Sequence, residues 1–237
     1  MNSGPVGSGR FRKVLAMEQV SDLFRDGMSL MFGGFGSIGT PPLLVEALLQ
    51  SGVRDLTLIG NDSGYPSYGV GRLIAEQRVS KLVASHIGSN PTAIEQMNAG
   101  TLEVEFVPQG TLAERIRAGG AGLGGILTDV GAGTEIDADG PHAEVDGRRY
   151  RIEPAIRAPL AIVLAEYGDE YGNLVYPASA RNFNPLVATA ADVVIAEVRN
   201  LVACGEVAAD LVHTPGVFVD YVVGGSTKPE RVPVPKT

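Results

Sequence analysis

The chain has 237 residues, 44% of them hydrophobic, which is enough for a buried core in one large α/β domain or at most two small ones. Its 27 acidic residues exceed the 19 lysines and arginines and give a net charge of -8, which argues against nucleic acid as the main partner. The single cysteine, Cys204, excludes an internal disulfide, and no run is long enough for a membrane span or a secretory signal. We therefore expect a cytoplasmic protein with no membrane partner.

The first residues are rich in glycine and serine and lack apolar periodicity, so we predict a flexible leader over residues 1–13. Residues 14–225 are expected to form one domain, and residues 226–237 a C-terminal tail. Within the domain, helix-like segments alternate with short apolar runs, which is typical of a parallel sheet whose strands are connected by helices.

Apolar runs predict six strands, at residues 28–32, 56–60, 81–85, 102–107, 160–165 and 192–198. Helices are predicted at residues 20–25, 42–50, 70–76, 93–98 and 112–118. Thr40, followed by two prolines, predicts a helix cap, and Thr111 with Glu114 predicts a capping box. Four strands are apolar nearly throughout, which indicates cover on both faces. The predicted fold class is α/β, with an open, mostly parallel sheet and helices on both faces.

Residues 126–156 differ from the rest of the chain. They contain the turn dipeptides Asp139-Gly140 and Asp146-Gly147 between segments of high β propensity, so we predict an antiparallel β-hairpin insertion. Parallel strands resume at Leu160. One domain with an inserted flap or docking surface is therefore more economical than two separate domains.

A glycine-rich loop follows the first predicted strand. Gly34, Gly36 and Gly39 have the spacing G-x-G-x-x-G, which is found in dinucleotide-binding turns. Such a turn also needs an acid about 20 residues further on, at the tip of the next strand. Asp55 precedes that strand and Asp62 lies too far along. Spacing alone therefore leaves open both a dinucleotide site and a tight turn without a ligand.

Longer runs are more specific than this spacing. They are DGMSLMFGGFGSIGTP at 26–41, ASHIGSNP at 84–91, VPQGTLAERIRAGGAGLGG at 107–125 and SARNFNP at 179–185. In order and without a large gap, from about Val14 to Val223, the chain resembles the alpha (A) subunits of family I coenzyme A transferases. The nearest members are those acting on acetate or acetoacetate, a 3-oxoacid. The resemblance implies the CoA-transferase fold, which is NagB/RpiA-like.

The resemblance also implies a reaction. Coenzyme A moves between short-chain carboxylic acids, such as acetate, butyrate, acetoacetate or another 3-oxoacid, by a ping-pong mechanism through a glutamyl-CoA thioester. The nucleophilic glutamate belongs to the beta subunit, in a Ser-Glu-Asn-Gly-like stretch that this chain lacks, since its nearest text is Glu170-Tyr171-Gly172-Asn173. We therefore expect no catalytic nucleophile here, a beta-subunit partner in an α2β2 assembly, coenzyme A as substrate, and neither a tightly bound cofactor nor a metal.

Gln109 is the strongest candidate for the active site. It follows a predicted strand and precedes a helix, at the edge where open α/β sheets bind ligands. The resemblance implies that its amide can hydrogen-bond the reacting carboxylate or acyl oxygen. The alternative is that Pro108-Gln109-Gly110 is only a turn.

A second candidate wall is formed by Gly33, Gly34, Phe35 and Gly36. We expect their backbone N–H groups to stabilise an oxyanion and Phe35 to close an apolar acyl pocket. The alternative is a tight turn with Phe35 in the core.

Weaker candidates for the site are Asn61, His86, Gly119 and Gly120. For His86 a structural role is the alternative, and for the two glycines close packing. Residues 181–184, RNFN, are expected to serve architecture or an interface. Cys204, among apolar residues, is expected to be a buried and inert thiol.

Three functions are compatible with these sequence features. The first is a CoA-transferase subunit, the second an NAD(P)-dependent oxidoreductase with a Rossmann glycine loop, and the third a non-catalytic module that binds an acyl-CoA or a sugar phosphate. A neighbouring gene for a glutamate-bearing beta chain would favour the first. Binding of NAD or NADP would favour the second, and assembly with a beta chain without transferase activity would favour the third.

Overall fold

The structure, a computed structural model, describes residues 13–137 and 140–224. The predicted tail at 226–237 and all of the predicted leader except Lys13 lie outside these ranges. Lys13 itself is part of the fold, which corrects the predicted boundary. Its N–H donates to the carbonyl of Glu170, and its carbonyl accepts the N–H of Val222. Its Nζ donates to the carbonyls of Gly216 and Val219, both at 2.6 Å.

The strands are β1 (Ser29–Phe32), β2 (Leu56–Ile59), β3 (Val79–Ala84), β4 (Glu103–Phe106), β5 (Gly125–Thr128), β6 (His142–Val145), β7 (Arg148–Pro154), β8 (Ala158–Asp169), β9 (Leu174–Val175), β10 (Ala191–Val202) and β11 (Tyr221–Gly224). The main sheet has the order β11-β10-β8-β1-β2-β3-β4, with every one of these pairs parallel. The short strand β9 pairs antiparallel with β8. The predicted open, mostly parallel sheet is confirmed.

The helices are α1 (Met17–Val20), α2 (Pro42–Ser51), α3 (Gly71–Ala75), α4 (Pro91–Asn98), α5 (Gln109–Gly120) and α6 (Asn184–Thr189). Single 3-10 turns lie at Ser21–Leu23, Glu135–Asp137, Ala178–Arg181, Ala209–Leu211 and Gly216–Phe218. The predicted helix over 20–25 is therefore misplaced. The regular helix ends at Val20, and the chain is already extended at Phe24.

Two hydrophobic cores cover the two faces of the sheet. Leu30 and Phe32 of β1 belong to the core that contains α2, α3 and α4, whereas Met31 belongs to the core that contains α5 and α6. Successive side chains of a strand point to opposite faces, so cover on both faces requires apolar residues at consecutive positions. This explains why the strands read as unbroken apolar runs.

Strands β8 and β10 are longer than predicted, with 12 residues each where the apolar runs covered 160–165 and 192–198. They pair over ten positions, from Ala158–Ala191 to Asp169–Val202. Their second halves contain polar residues, among them Glu166 and Asn200, so an apolar pattern could not reveal them.

Both predicted helix caps are wrong. The cap position of α2 is Pro41 rather than Thr40, and that of α5 is Pro108, so α5 begins at Gln109, two residues before Thr111. Thr111 instead faces the interior, where its Oγ1 has no hydrogen-bond partner among the described residues. Glu114 pairs with Arg117.

The insertion is a three-stranded antiparallel sheet of order β5-β7-β6, one strand more than the predicted hairpin. Its β6–β7 turn lies at Asp146-Gly147, where both residues have positive φ, 51° and 72°. Such a pair suits a tight hairpin turn, which confirms this part of the prediction. The other predicted turn involves Asp139, which lies outside the described residues.

Cys204 is exposed in the loop after β10, so the expectation of a buried thiol is wrong. Across residues 13–137 and 140–224, no helix has both the length and the apolar character needed to cross a membrane.

Candidate functional site

A cleft of about 280 Å³ lies beyond the carboxyl ends of β1, β2, β3 and β4. Its lining residues are Phe35, Gly36, Ser37, Ile38, Asn61, Asp62, Tyr65, Ser85, His86, Ser89 and Gln109. The carboxyl ends of parallel strands meet at one edge, and ligands of open α/β sheets bind there. The cleft brings together Phe35, Gly36, Asn61, His86 and Gln109, five residues that the sequence singled out separately.

A continuous chain of hydrogen bonds crosses the floor of the cleft. Gln109 Nε2 donates to Asn61 Oδ1 at 2.6 Å, and Asn61 Nδ2 donates to Asp62 Oδ2 at 2.7 Å. The same Asp62 oxygen accepts the backbone N–H of Gly36 at 2.7 Å. Gln109 is thus connected to residues 33–40, which we call the glycine loop, through two side chains that follow β2. Asp62 was discounted as a dinucleotide acid and was not assigned a role in the site.

The backbone N–H groups of the glycine loop are already paired. The N–H of Gly33 donates to Ile162, that of Gly34 to Asn182 Oδ1, that of Phe35 to Ile38, and that of Gly36 to Asp62. We expected these groups to be available to an oxyanion. In this structure all four have internal acceptors, so the expectation is not supported.

Residues 181–184 hold the glycine loop in place. Asn184, fully buried, donates from Nδ2 to the carbonyl of Gly39 at 3.0 Å and accepts the N–H of Leu164 at Oδ1 at 2.9 Å. A Cβ atom at Gly33 would collide with Asn184 Oδ1, so this position has room only for glycine. The architectural role expected for this run is what the structure shows.

Two similar loops border the cleft. One is the glycine loop, and the other, residues 64–69, we call the tyrosine loop. Phe35 and Ile38 form a bridge in the first, and Tyr65 and Tyr68 form a bridge in the second. Both loops match the pattern G-x-x-S-x-G, at 34–39 and 64–69, a local repeat that the sequence analysis missed.

The tips of both loops are exposed. Phe35 is 53% exposed, Ile38 49% and Tyr65 43%. The alternative that placed Phe35 in the core is therefore wrong. Large apolar side chains grouped at the rim of a polar cleft are unusual on a free surface and indicate a binding region.

His86 follows β3 and lies exposed at the cleft. Its imidazole has no hydrogen-bond partner within the described part of the chain, and a Cβ atom at Gly88 would lie 2.7 Å from its ring. The ring is thus available to a ligand.

Gly119 and Gly120 do not line the cleft. They end α5, about 15 Å along the helix from Gln109. Side chains here would collide with the backbone carbonyl of Ile156 and with Thr189, respectively. Close packing explains both glycines.

The first turn of α2, directly after the glycine loop, is already bound to a carboxyl group of the protein. Glu197 Oε2, from the buried part of β10, accepts the backbone N–H groups of Leu43 and Leu44 at 2.8 and 3.1 Å. Burial raises the pKa of Glu197 to about 7, although these two hydrogen bonds oppose the rise. A dinucleotide fold would bind its pyrophosphate at this helix end. In this chain the protein's own carboxyl group is there.

The described residues contain no cluster of three or more His, Cys, Asp and Glu side chains that could hold a metal ion. Asp62 is also the single acid among the lining residues of the cleft. Both of its oxygens are engaged, because Oδ1 accepts the N–H of Gly64 at 2.8 Å in addition to the two bonds to Oδ2. It is poorly suited to act as a nucleophile.

Comparison with known proteins agrees with this geometry. The coenzyme A transferase family model matches residues 14–225. A probable coenzyme A transferase subunit alpha of Bacillus subtilis (strain 168) is 55% identical over 214 residues, covering 90% of this chain and 93% of the relative. The acetate CoA-transferase subunit alpha of Escherichia coli (strain K12) is 49% identical over 211 residues, covering 89% and 96%.

A solved acyl-CoA transferase of Escherichia coli O157:H7 has the same fold, with a TM-score of 0.79 and 24% identity. The alignment covers 98% of this chain and 50% of that one, so this chain spans about half the length of that protein. The chain therefore belongs to the coenzyme A transferase family, and within it to the alpha, or A, subunits.

Proposed function

We propose that this chain forms one side of the active site of a heteromeric CoA-transferase, whose nucleophilic glutamate is supplied by a beta subunit. The observation that carries the proposal is a cleft with polar groups that can orient a substrate but with no available carboxylate of its own. The one lining acid, Asp62, uses both oxygens internally. A glutamate needs no general base, because it is ionised at neutral pH.

Gln109 orients the reacting group. One N–H of its carboxamide is bound to Asn61, which leaves the second N–H and the oxygen for a ligand in the cleft. An amide N–H held in position can stabilise the negative oxygen that forms when the carboxylate attacks the thioester, a contribution of roughly 3 kcal/mol. The free imidazole of His86 offers a second polar contact.

The acyl group lies against Phe35, Ile38 and Tyr65, the apolar side chains at the cleft. A volume of about 280 Å³ suits a short linear acid. We propose acetate, butyrate, acetoacetate or another 3-oxoacid as substrates, in agreement with the relative named acetate CoA-transferase subunit alpha, and coenzyme A as the group transferred. Each methylene changes binding by only about 1 to 3 kcal/mol, so the choice among these acids depends on both subunits.

The exposed loop tips favour a partner chain. Phe35 and Ile38 would lose contact with water if a beta subunit covered the cleft, which would also close the site to bulk solvent. We propose an α2β2 assembly in the cytoplasm. A dinucleotide-dependent oxidoreductase is disfavoured, since Glu197 occupies the end of α2.

The test is co-purification with the beta subunit, followed by exchange assays with a panel of acyl-CoA donors and short carboxylic acids. The complex should transfer coenzyme A, and the isolated chain should not. Transfer by the isolated chain would contradict the two-subunit site. A stable complex that is inactive with every donor would favour the non-catalytic binding module instead.

A further inference from the structure

Asp62 connects the two loops that border the cleft. It is 4% exposed, its Oδ2 accepts the N–H of Gly36 at 2.7 Å, and its Oδ1 accepts the N–H of Gly64 at 2.8 Å. A backbone N–H can only donate, so both oxygens must act as acceptors. A single carboxylate thus fixes the glycine loop relative to the tyrosine loop.

The same carboxylate determines the orientation of two amides. Asn61 turns its Nδ2 toward Asp62, which leaves its Oδ1 on the side of Gln109. That oxygen can only accept, so Gln109 must present Nε2 to it. Reversal of either amide would bring two donors or two acceptors together. Asp62 therefore sets which groups donate and which accept along this series of hydrogen bonds, although it is two hydrogen bonds away from Gln109.

We propose that Asp62 is a positioning residue for CoA transfer, which sets the orientation of the Gln109 carboxamide through Asn61 and holds the glycine loop at Gly36. The catalytic part of this inference rests on the proposed function. Asp62 has no free oxygen for the substrate and acts through its neighbours. Displacement of a catalytic group by about 1 Å can cost about 100-fold in rate, so this role should be visible in turnover.

Asp62→Asn tests the role directly, in the complex with the beta subunit. The new amide has one acceptor oxygen, whereas Asp62 serves three donors on two oxygens, so at least one donor meets an N–H group. We expect kcat to fall by about 10- to 100-fold with KM for the acyl-CoA within about threefold of wild type. We also expect faster hydrogen exchange at the Gly36 amide.

Asp169→Asn is the matched control. Asp169 is 1% exposed and also accepts two backbone N–H groups, those of Tyr171 and Asn173, together with the Asn173 side-chain amide. It lies outside the cleft. Both substitutions should lower thermal stability, but Asp169→Asn should leave kcat unchanged. An equal loss of kcat in both variants would mean general destabilisation and would overturn the inference.

Exchange of the side chains at positions 61 and 62 tests whether turnover can be restored without a carboxylate at position 62. In Asn61→Asp/Asp62→Asn, a carboxylate at position 61 can accept from Gln109 and from the new amide at position 62, which restores the orientation of Gln109. We expect each single variant to be impaired and the double variant to recover about tenfold in kcat over Asp62→Asn. Losses that simply multiply would show independent sites and would overturn the inference.

Hydrogen exchange separates this inference from the proposed function. If the wild-type complex transfers no coenzyme A, the proposed function fails, and exchange at Gly36 still reports whether Asp62 holds the loop. Unchanged exchange at Gly36 in Asp62→Asn would overturn the positioning role even in an active enzyme.

Discussion

The carboxyl group of Glu197 accepts a hydrogen bond from the backbone N–H of Leu43 at 2.8 Å, although 154 residues separate the two. Strand β10 thereby supplies an acid to the first turn of α2, where two prolines leave no earlier donor. The glycine loop before α2 has dinucleotide-like spacing. Because of this contact, however, the first turn of α2 is not free to bind a phosphate.

The pH dependence of stability should reflect Glu197. Burial raises its folded pKa to about 7 from 4.5, so between these values the folded state binds a proton that the unfolded state does not. The free energy of unfolding should therefore decrease by at most about 3 kcal/mol as pH rises from about 4.5 to about 7. Above pH 7 it should level off. Glu197→Gln should flatten this decrease, as measured by urea unfolding at pH 5 and pH 8.

Glu46→Gln is the control for that experiment. Glu46 lies on α2, the helix that Glu197 contacts, and its hydrogen bond to Arg72 lowers its pKa, so its titration lies below this pH range. The Glu46→Gln variant should therefore keep the wild-type decrease in the free energy of unfolding between pH 5 and pH 8. Equal slopes in Glu197→Gln and wild type would contradict the assignment.

NAD and NADP should not bind to this protein. The N–H groups of Leu43 and Leu44 that would meet a pyrophosphate are bound to Glu197. Calorimetric titration of the purified protein with either dinucleotide should give no binding heat. Affinity in the micromolar range would revive the oxidoreductase hypothesis.

Gln109→Ala should lower kcat by about 100-fold in the complex with the beta subunit, because it removes the positioned amide from the cleft. Co-elution of the two subunits should be unaffected, since the lost contact is a single hydrogen bond to Asn61. Gln50→Ala, which removes an exposed glutamine bonded to Glu46 on α2, is the control and should retain wild-type turnover. Unchanged kinetics for Gln109→Ala would remove Gln109 from the site.

Gly33→Ala should destabilise the fold by about 1 to 3 kcal/mol, because the added methyl group collides with the buried side chain of Asn184. Gly110→Ala is the matched change, in the first turn of α5, where an added Cβ meets nothing within 4 Å. It should stabilise by about 0.5 to 1 kcal/mol through the helix preference of alanine. Chemical denaturation of both variants measures the difference, and equal effects would contradict the packing of Asn184 against the loop.

Much of the fold could be predicted from the sequence. The apolar runs predicted the central parallel strands, and the Asp146-Gly147 dipeptide predicted the turn of the insertion, because side-chain burial and backbone preference act over a few neighbouring residues. The predicted caps at Thr40 and Thr111 were wrong because they too depended on a local pattern alone. Each threonine has the local pattern of a cap, yet proline sets the start of both helices.

Local patterns in the sequence predicted the parallel sheet and its apolar strands, pointed to the family, and singled out the glycine loop and Gln109 as parts of the site. Only the tertiary structure showed that Asp62 connects Gln109 to Gly36, that Glu197 occupies the end of α2, and that the N–H groups of residues 33–36 are all paired. These contacts join residues far apart in the chain. A local pattern cannot reveal them, since a donor's partner depends on which strands lie side by side.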